Sequence, residues 1–180
     1  MSIFTNPAAS SKEDAAAYTA ALLDLLGARE PRQQLEQTPA VMRGAVANVQ
    51  ASRLSAPEAP GKWSVRQVVA HVADSEVVFA WRLRLILAQD KPPIQGYDQD
   101  AWAQRLGYDE AELDQSLGVF AALRGWNLRL IKRASAEELQ RVGVHSERGE
   151  ESITHLLKLY AAHDLLHLNQ IKRILESISA

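Results

Sequence analysis

Two histidines near the C-terminus, His163 and His167, stand four residues apart in the segment LLKLYAAHDLLHLNQIKRIL. In an α-helix, side chains at this spacing lie on one face with Cβ atoms about 5–6 Å apart, so two imidazoles can approach the same metal ion. His71 lies in a second helical pattern, KWSVRQVVAHVADSEVVFAWRLRLIL. Because metal sites in helical bundles are built from side chains on facing helices, His71 is the expected third ligand.

The histidine pair alone is also compatible with two core histidines that bind neighbouring side chains or water. With 5 histidines in 180 residues, random placement gives roughly 0.14 pairs at this spacing. Unpaired imidazoles on an apolar face cost several kcal/mol, and a shared metal would satisfy both. His145, in a polar stretch, and His155, about 80° around the last helix from His163, are both predicted to be solvated.

Two acidic residues stand near the predicted ligands. Asp164 gives the pair the pattern H-D-x-x-H, which is similar to the H-E-x-x-H of zinc proteases. Its side chain is one methylene shorter than glutamate, and a helical domain lacks the strand that aligns a peptide substrate, so we predict that Asp164 orients an imidazole or lies on the helix surface. Glu76 points about 140° away from His71, which leaves a role as fourth ligand open. The sequence assigns no catalytic residue.

The composition narrows the class of protein. The chain has 20 basic and 22 acidic residues, a net charge of −2 and no cysteine. Any metal must therefore be held by imidazole, carboxylate or water, and nucleic acid is not the expected partner. No apolar stretch approaches the roughly 20 residues that cross a bilayer, and the first 18 residues lack a signal-peptide pattern, so we predict a soluble cytoplasmic protein without a membrane partner.

Long windows rich in Leu, Ala, Gln, Glu and Arg, with few Gly or Pro, predict an all-α fold. Helices are predicted over residues 12–26, 33–51, 65–87, 109–133 and 152–175, with a short helical turn at 135–140. Ser64 with Gln67, and Asp109 with Glu112, are predicted capping pairs.

Two stretches between the helices are predicted to be irregular. Residues 90–108, with two prolines, two glycines and the aromatics Tyr97, Trp102 and Tyr108, are predicted to be a long connection, either a lid or binding segment or a crossover packed on the bundle end. The segment VHSERGEES, residues 144–152, is predicted to be a loop.

Three motifs together resemble the DinB-like, also called YfiT-like, four-helix bundles. They are GKWSVRQVVAHVADSE, PPIQGYDQDAW and LYAAHDLLHLNQI, and the resemblance covers roughly residues 35–175. It implies an all-α, up-down four-helix bundle at residues 35–180, preceded by an N-terminal helical extension at residues 1–34. It also implies a homodimer and a divalent metal, most often nickel or zinc, bound by His71, His163 and His167.

The expected metal site is compatible with several functions. The resemblance implies relatives that include thiol transferases, which use low-molecular-weight thiols, and a thiol-dependent isomerase. Three imidazole ligands leave a coordination position at which water or a thiol can be activated, so we expect a metal-dependent hydrolase or a thiol transferase with a small-molecule substrate. The alternatives are a non-enzymatic metal-binding or small-ligand-binding stress-response module, and a helical interaction protein without metal.

Overall fold

The computed structural model describes residues 12–177. Its elements, in chain order, are α1 Lys12–Leu26, α2 Pro31–Val46, α3 Ala51–Leu54, α4 Val65–Ala88, β1 Pro93–Ile94, α5 Gln99–Arg105, α6 Leu113–Arg133, a 3₁₀ turn Glu138–Gln140, β2 Val142–His145, β3 Gly149–Ser152 and α7 Ile153–Ser177. The predicted all-α bundle is confirmed, with a small sheet added to it. Residues 1–11, which begin the predicted N-terminal extension and the stretch without a signal-peptide pattern, and residues 178–180 lie outside the described part.

Four long helices form the bundle, in the order α2, α6, α4 and α7 around its axis, and each packs against the next. This order differs from the order along the chain. Helix α1 packs against the outer side of α7. No helix within residues 12–177 combines the length and apolar composition that spanning a bilayer requires. The division of the chain into residues 1–34 and 35–180 stays a prediction.

Two large apolar clusters fill the interior, one toward each end of the bundle, and a small third cluster includes Ala70 and Tyr108. The first is built on the C-terminal half of α4 and the N-terminal half of α7, and it includes Phe79 and Leu156. The second is built on the opposite halves of the same helices, and it includes Val68 and Ile171. Buried polar residues lie between the clusters on every bundle helix: Thr38 on α2, Glu76 on α4, Arg124 on α6 and Asp164 on α7. The bundle therefore has a polar layer across its middle, and the three histidines lie at that level.

Four helix boundaries differ from the prediction by two residues or more. Helix α2 begins earlier, at Pro31, where the Glu30 side chain accepts a hydrogen bond from the backbone N–H of Gln33, and it ends at Val46. Helix α3 is separate from it. Helix α6 begins at Leu113, with Glu112 as an N-cap that makes no side-chain bond, so the predicted Asp109–Glu112 capping pair was wrong. Helix α7 continues to Ser177.

Both segments predicted to be irregular contain strands. The loop prediction for VHSERGEES was wrong, because β2 and β3 form an antiparallel hairpin in this region, with Val142 opposite Ser152 and His145 opposite Gly149. Strand β1, from the 90–108 connection, pairs in parallel with β2. Each strand is two to four residues long, so its stability comes from packing against the bundle rather than from strand propensity. The sheet carries His145 into the interior.

Candidate metal centre and adjoining cavity

Helix α4 presents His71 from a well-fixed start. The Ser64 Oγ accepts a hydrogen bond from the Gln67 backbone N–H at 3.4 Å, and the Gln67 Oε1 accepts one from the Ser64 backbone N–H at 2.9 Å. This is the predicted capping box, and it is confirmed. His71 follows one helical turn after Gln67, on the face that packs against α7.

The three predicted ligands, His71, His163 and His167, meet in the interior. The His163 Nε2 lies 3.1 Å from the His71 Nε2 and 3.0 Å from the His167 Nε2. One nitrogen from each ring lies within 4.8 Å of the others. A zinc-sized ion about 2.0–2.1 Å from two nitrogens holds them roughly 2.9–3.4 Å apart at angles of 90–110°. The cluster therefore has dimensions that could hold one divalent ion.

Hydrogen bonds between the imidazoles account for the cluster less well than an ion does. A neutral imidazole has one N–H donor and one acceptor nitrogen. The His167 Nδ1 donates to the Gln170 Oε1 at 2.8 Å, which leaves its Nε2 as an acceptor facing His163. A single N–H on the His163 Nε2 cannot serve both neighbours. The His71 Nδ1 is buried without a hydrogen-bond partner among the described side chains, so no bond at this nitrogen fixes the tautomer.

The pKa values of the three imidazoles favour the neutral form that binds metal. Burial lowers the pKa of His163 to about 4, helped by the positive charge of Arg124. Burial, with the charge of His163, lowers the pKa of His167 to about 3. Burial holds the pKa of His71 well below its usual range, and His167 and His163 add to the effect. All three rings are therefore uncharged at pH 7, and their lone pairs are available.

In the polar layer beside the histidines, Arg124 bonds to two buried carboxylates. Its guanidinium donates to the Glu76 Oε2 from Nε at 3.0 Å and from Nη2 at 2.9 Å. It donates to Asp164 from Nη1 at 2.6 Å and from Nη2 at 3.0 Å. Its Nη1 also donates to the backbone oxygen of Leu35, and the Asn127 amide donates to the Glu76 Oε1 at 2.7 Å. The polar layer is therefore an ion-paired network that ties α2, α4, α6 and α7 to one register.

This network corrects the prediction for Asp164. Its carboxylate bonds to Arg124 rather than to an imidazole, and the residue is only 1% exposed. Both alternatives given for Asp164 were therefore wrong. Glu76 points away from His71, as the helical angle indicates, and it is engaged by Arg124 and Asn127. The carboxylates steady the helices that carry the histidines.

A cavity opens beside His163, and its empty space, including the mouth, is about 700 Å³. The lining residues come from α1, α4, the segment after β1, the hairpin and α7: Tyr18, Thr19, Leu22, Ser75, Arg82, Gly96, Tyr97, Gln99, His145, Glu147, Arg148, Leu156, Leu159, Tyr160 and His163. Tyr97, from the predicted connection, lines the cavity. Trp102 packs against Tyr97, with ring centroids 4.5 Å apart.

Hydroxyl groups connect the histidine cluster to this cavity. The Ser75 Oγ lies 3.4 Å from the His71 Nε2 and 2.9 Å from the Tyr97 Oη. Burial raises the pKa of Tyr97, so its hydroxyl stays protonated at neutral pH. Ser75 and Tyr97 can therefore exchange hydrogen bonds with a polar group placed near the cluster.

The two remaining histidines differ from each other. His145 was predicted to be solvated and is 2% exposed, so that prediction was wrong. Burial, followed by the charges of Arg148 and Arg82, lowers its pKa to about 4. His155 is partly exposed, with its Nε2 4.0 Å from a Glu151 carboxylate oxygen. Neither belongs to the histidine cluster.

Sequence reasoning missed Ser75, Arg82, Arg124 and Tyr160. Arg124 interrupts the apolar stripe of α6, and a charged residue at a core-facing position is the signal that could have identified it. Arg82 is likewise a charged residue among the buried, mainly apolar residues of α4. Ser75 and Tyr160 gave no comparable signal, because a serine or tyrosine at a helical core position has many uses.

The fold and the histidine cluster define a helical-bundle protein with a candidate metal centre, and comparisons with known proteins agree. The model of the DinB superfamily matches residues 34–171, and the chain belongs to this family. YfiT of Bacillus subtilis is 30% identical over 145 residues, which cover 78% of this chain and 82% of the relative. Its name assigns it provisionally to the metal-dependent hydrolases.

Two further relatives carry the same provisional name. One, from Oceanobacillus iheyensis, is 30% identical over 138 residues, covering 77% of this chain and 80% of the relative. Another, from Bacillus cereus strain 03BB102, is 31% identical over 139 residues, with 77% and 80% covered. The solved structure of B. subtilis YfiT, described as a probable metal-dependent hydrolase with an unusual four-helix bundle topology, has a TM-score of 0.78 at 29% identity and covers 83% of this chain and 86% of that chain.

Proposed function

We propose that this protein is a metal-dependent hydrolase of a small molecule, in which His71, His163 and His167 hold one divalent ion, nickel or zinc. The observation that carries the proposal is the convergence of three neutral Nε2 atoms, two pairs of them 3.0–3.1 Å apart. The provisional names of the relatives support it. A divalent ion held in this way supplies Lewis-acid chemistry, which makes a water molecule or a thiol more acidic.

The chain's own residues supply position and proton handling. The hydroxyls of Ser75 and Tyr97 form a hydrogen-bonded pair that ends beside the His71 Nε2, where they can hold a polar substrate atom or pass a proton. The Arg124 network fixes α7 against α4 and so keeps His163 and His71 within reach of one ion. The cavity beside His163 receives the substrate.

A low-molecular-weight-thiol transferase is the second form of the proposal. Three neutral ligands leave the full positive charge of the ion available, which favours a thiolate as well as hydroxide. Because the same residues would serve either reaction, the substrate determines whether hydrolysis or thiol transfer occurs. The expected homodimer and the cytoplasmic location also stay predictions.

Metal titration tests the site. Isothermal titration of the dialysed full chain with Zn²⁺ or Ni²⁺ should give one ion per chain. Loss of an outer-shell partner of a metal ligand costs 10–100-fold in affinity, so His167→Ala should weaken binding by more than about a hundredfold. His155→Ala, on the same helix and outside the cluster, is the matched control and should bind as the wild type does. A wild type that binds no ion, or equal losses in both variants, would refute the site.

Activity tests the reaction. The zinc-loaded and nickel-loaded protein is screened against small esters, amides and phosphoesters, and against electrophiles offered with a low-molecular-weight thiol. Hydrolysis that disappears on chelation and returns with metal supports the hydrolase, whereas turnover only in the presence of thiol supports the transferase. Tight metal binding without either activity would favour a non-enzymatic metal-binding module.

A further inference from the structure

The cavity has a second polar end, formed by Arg82, Tyr160 and His145. Arg82 is only 7% exposed, yet its side chain lines the cavity. Its Nη2 donates to the backbone oxygen of Gln95 at 2.7 Å, and its Nη1 donates to the Tyr160 Oη at 3.4 Å. Both acceptors are uncharged.

The positive charge of Arg82 has no carboxylate partner within 4.0 Å among residues 15–177, the part of the chain whose side chains the structure describes. The other arginine of the cavity, Arg148, is neutralised by Glu151, with bonds of 2.6 and 3.0 Å. Glu147 is the one carboxylate among the lining residues, and its oxygen lies against Gly96. Because an unpaired buried cation is costly, a charge of this kind in a cavity is the signature of a site for an anion.

His145 adds a donor to the same place. The Glu147 backbone N–H donates to the His145 Nδ1 at 3.2 Å, so the neutral ring carries its proton on Nε2. This Nε2–H lies 3.4 Å from the Arg82 Nη2, which is also a donor. Two donors cannot bond to each other, but they can share one acceptor oxygen.

Tyr160 completes the set of donors. Its oxygen accepts from Arg82, and its own O–H proton has no acceptor among the described residues. Burial raises its pKa, so the hydroxyl keeps its proton. Tyr160 also lies one turn before His163 on α7, with ring centroids 6.3 Å apart. The donors and the histidine cluster therefore lie within the length of one small molecule.

We propose that Arg82, His145 and Tyr160 form an anion subsite that binds the carboxylate or phosphate group of the substrate. The subsite narrows the proposed function to small molecules that carry an oxyanion at one end and the reactive bond at the other. Binding of the anion itself needs no metal, although its role in the reaction rests on the proposed function.

Anion titration of the metal-free full chain tests the subsite separately from the metal. The probes are inorganic phosphate and succinate, with uncharged succinamide as the control, measured calorimetrically at low constant ionic strength and pH 7.5. Phosphate or succinate should bind and succinamide should not. Binding of phosphate but not succinate would define a phosphate site, and the reverse would define a carboxylate site.

Two variants and a matched control locate the binding. Charge-assisted hydrogen bonds contribute about 1.5–3 kcal/mol, so Arg82→Met should weaken anion binding about ten- to a hundredfold. Tyr160→Phe loses only a neutral donor and should weaken it about two- to tenfold. Arg84→Met removes the same charge from the same helix, where Arg84 bonds to Asn127, and should leave binding unchanged.

The outcomes are distinct from those of the metal titration. If Arg82→Met does not fold, Tyr160→Phe decides the question, since it removes a single oxygen. No binding of either anion to the wild type, or an equal loss in Arg84→Met, overturns the subsite. Anion binding in a chain that takes up no metal would refute the proposed function and leave the subsite standing.

Discussion

Replacing Arg124 with methionine should be among the most damaging single changes to the stability of this protein. The side chain of Arg124 is 2% exposed, and those of Glu76 and Asp164 are each 1% exposed. Methionine fills part of the space but leaves two carboxylates without their cation. Removing one partner of a buried ion pair costs about 3–5 kcal/mol. Since Arg124→Met leaves both carboxylates without their counterion and the backbone oxygen of Leu35 without the arginine donor, we expect a loss in this range at pH 7.

The loss should depend on pH in a defined direction. Burial raises the pKa of Glu76 and the charge of Arg124 lowers it, so removing Arg124 should leave the folded pKa of Glu76 further above its unfolded value near 4. A raised folded pKa gives stability that is present below the unfolded pKa and is lost as pH rises through the folded pKa. The difference between the variant and the wild type should therefore be larger at pH 8 than at pH 5.

Urea unfolding followed by circular dichroism measures both effects in the metal-free protein. Arg129→Met is the matched control, because Arg129 lies on the same helix, stacked over the exposed Trp126 at 4.2 Å, and its loss should cost about 0.5–1 kcal/mol. A triple variant with Arg124→Met, Glu76→Gln and Asp164→Asn should recover much of the loss. Equal losses for the two arginine variants, or no difference between pH 5 and pH 8, would refute the reasoning.

Three further predictions concern the elements that position the cavity. Ser64→Ala should lower the free energy of unfolding by about 1 kcal/mol in urea unfolding, because it removes half of the α4 capping box. Gly143→Ala should cost about 1–3 kcal/mol in the same assay, since the new Cβ would lie 2.6 Å from the Ile94 Cδ1, whereas the control Gly118→Ala meets no atom within 4 Å. His145, with its pKa lowered to about 4, gives stability that is present above its unfolded pKa near 6.5 and is lost as pH falls toward 4. His145→Gln should therefore flatten the fall in stability between pH 6.5 and 4, and an unchanged profile would contradict the burial of this ring.

The helices and the histidine cluster could be predicted because their signals are local. Apolar residues at three-to-four-residue spacing marked α4, α6 and α7, and one helical turn separates His163 from His167. A capping box also needs only four consecutive residues, as Ser64 and Gln67 show. His71 is distant from the pair along the chain, but its place in a second amphipathic helical pattern made it the expected third ligand, and the family resemblance implied the same three residues.

The hairpin and the anion subsite could not be predicted, because their signals are distributed along the chain. Strand β2 buries Gly143 and His145 and leaves Val144 exposed, and strand β3 carries only glycine and polar residues, so no alternating apolar face marks the hairpin. Arg82 becomes informative only when no carboxylate is seen to approach it, which depends on contacts from distant segments. The solvation prediction for His145 failed for the same reason, since a polar neighbourhood in sequence says little about burial in space.

Helix α1 forms one wall of the cavity and lies outside the segment that the family model matches. The three histidines and Arg82 come from the segment that the family model matches, residues 34–171, whereas Tyr18, Thr19 and Leu22 come from before it. The residues of this wall are therefore distinct from the proposed metal ligands and from the proposed anion contacts. Exchange of residues 12–26 would reshape the space offered to a substrate without touching a metal ligand or an anion contact. In this architecture, the choice of molecule can change while the reactive centre stays the same.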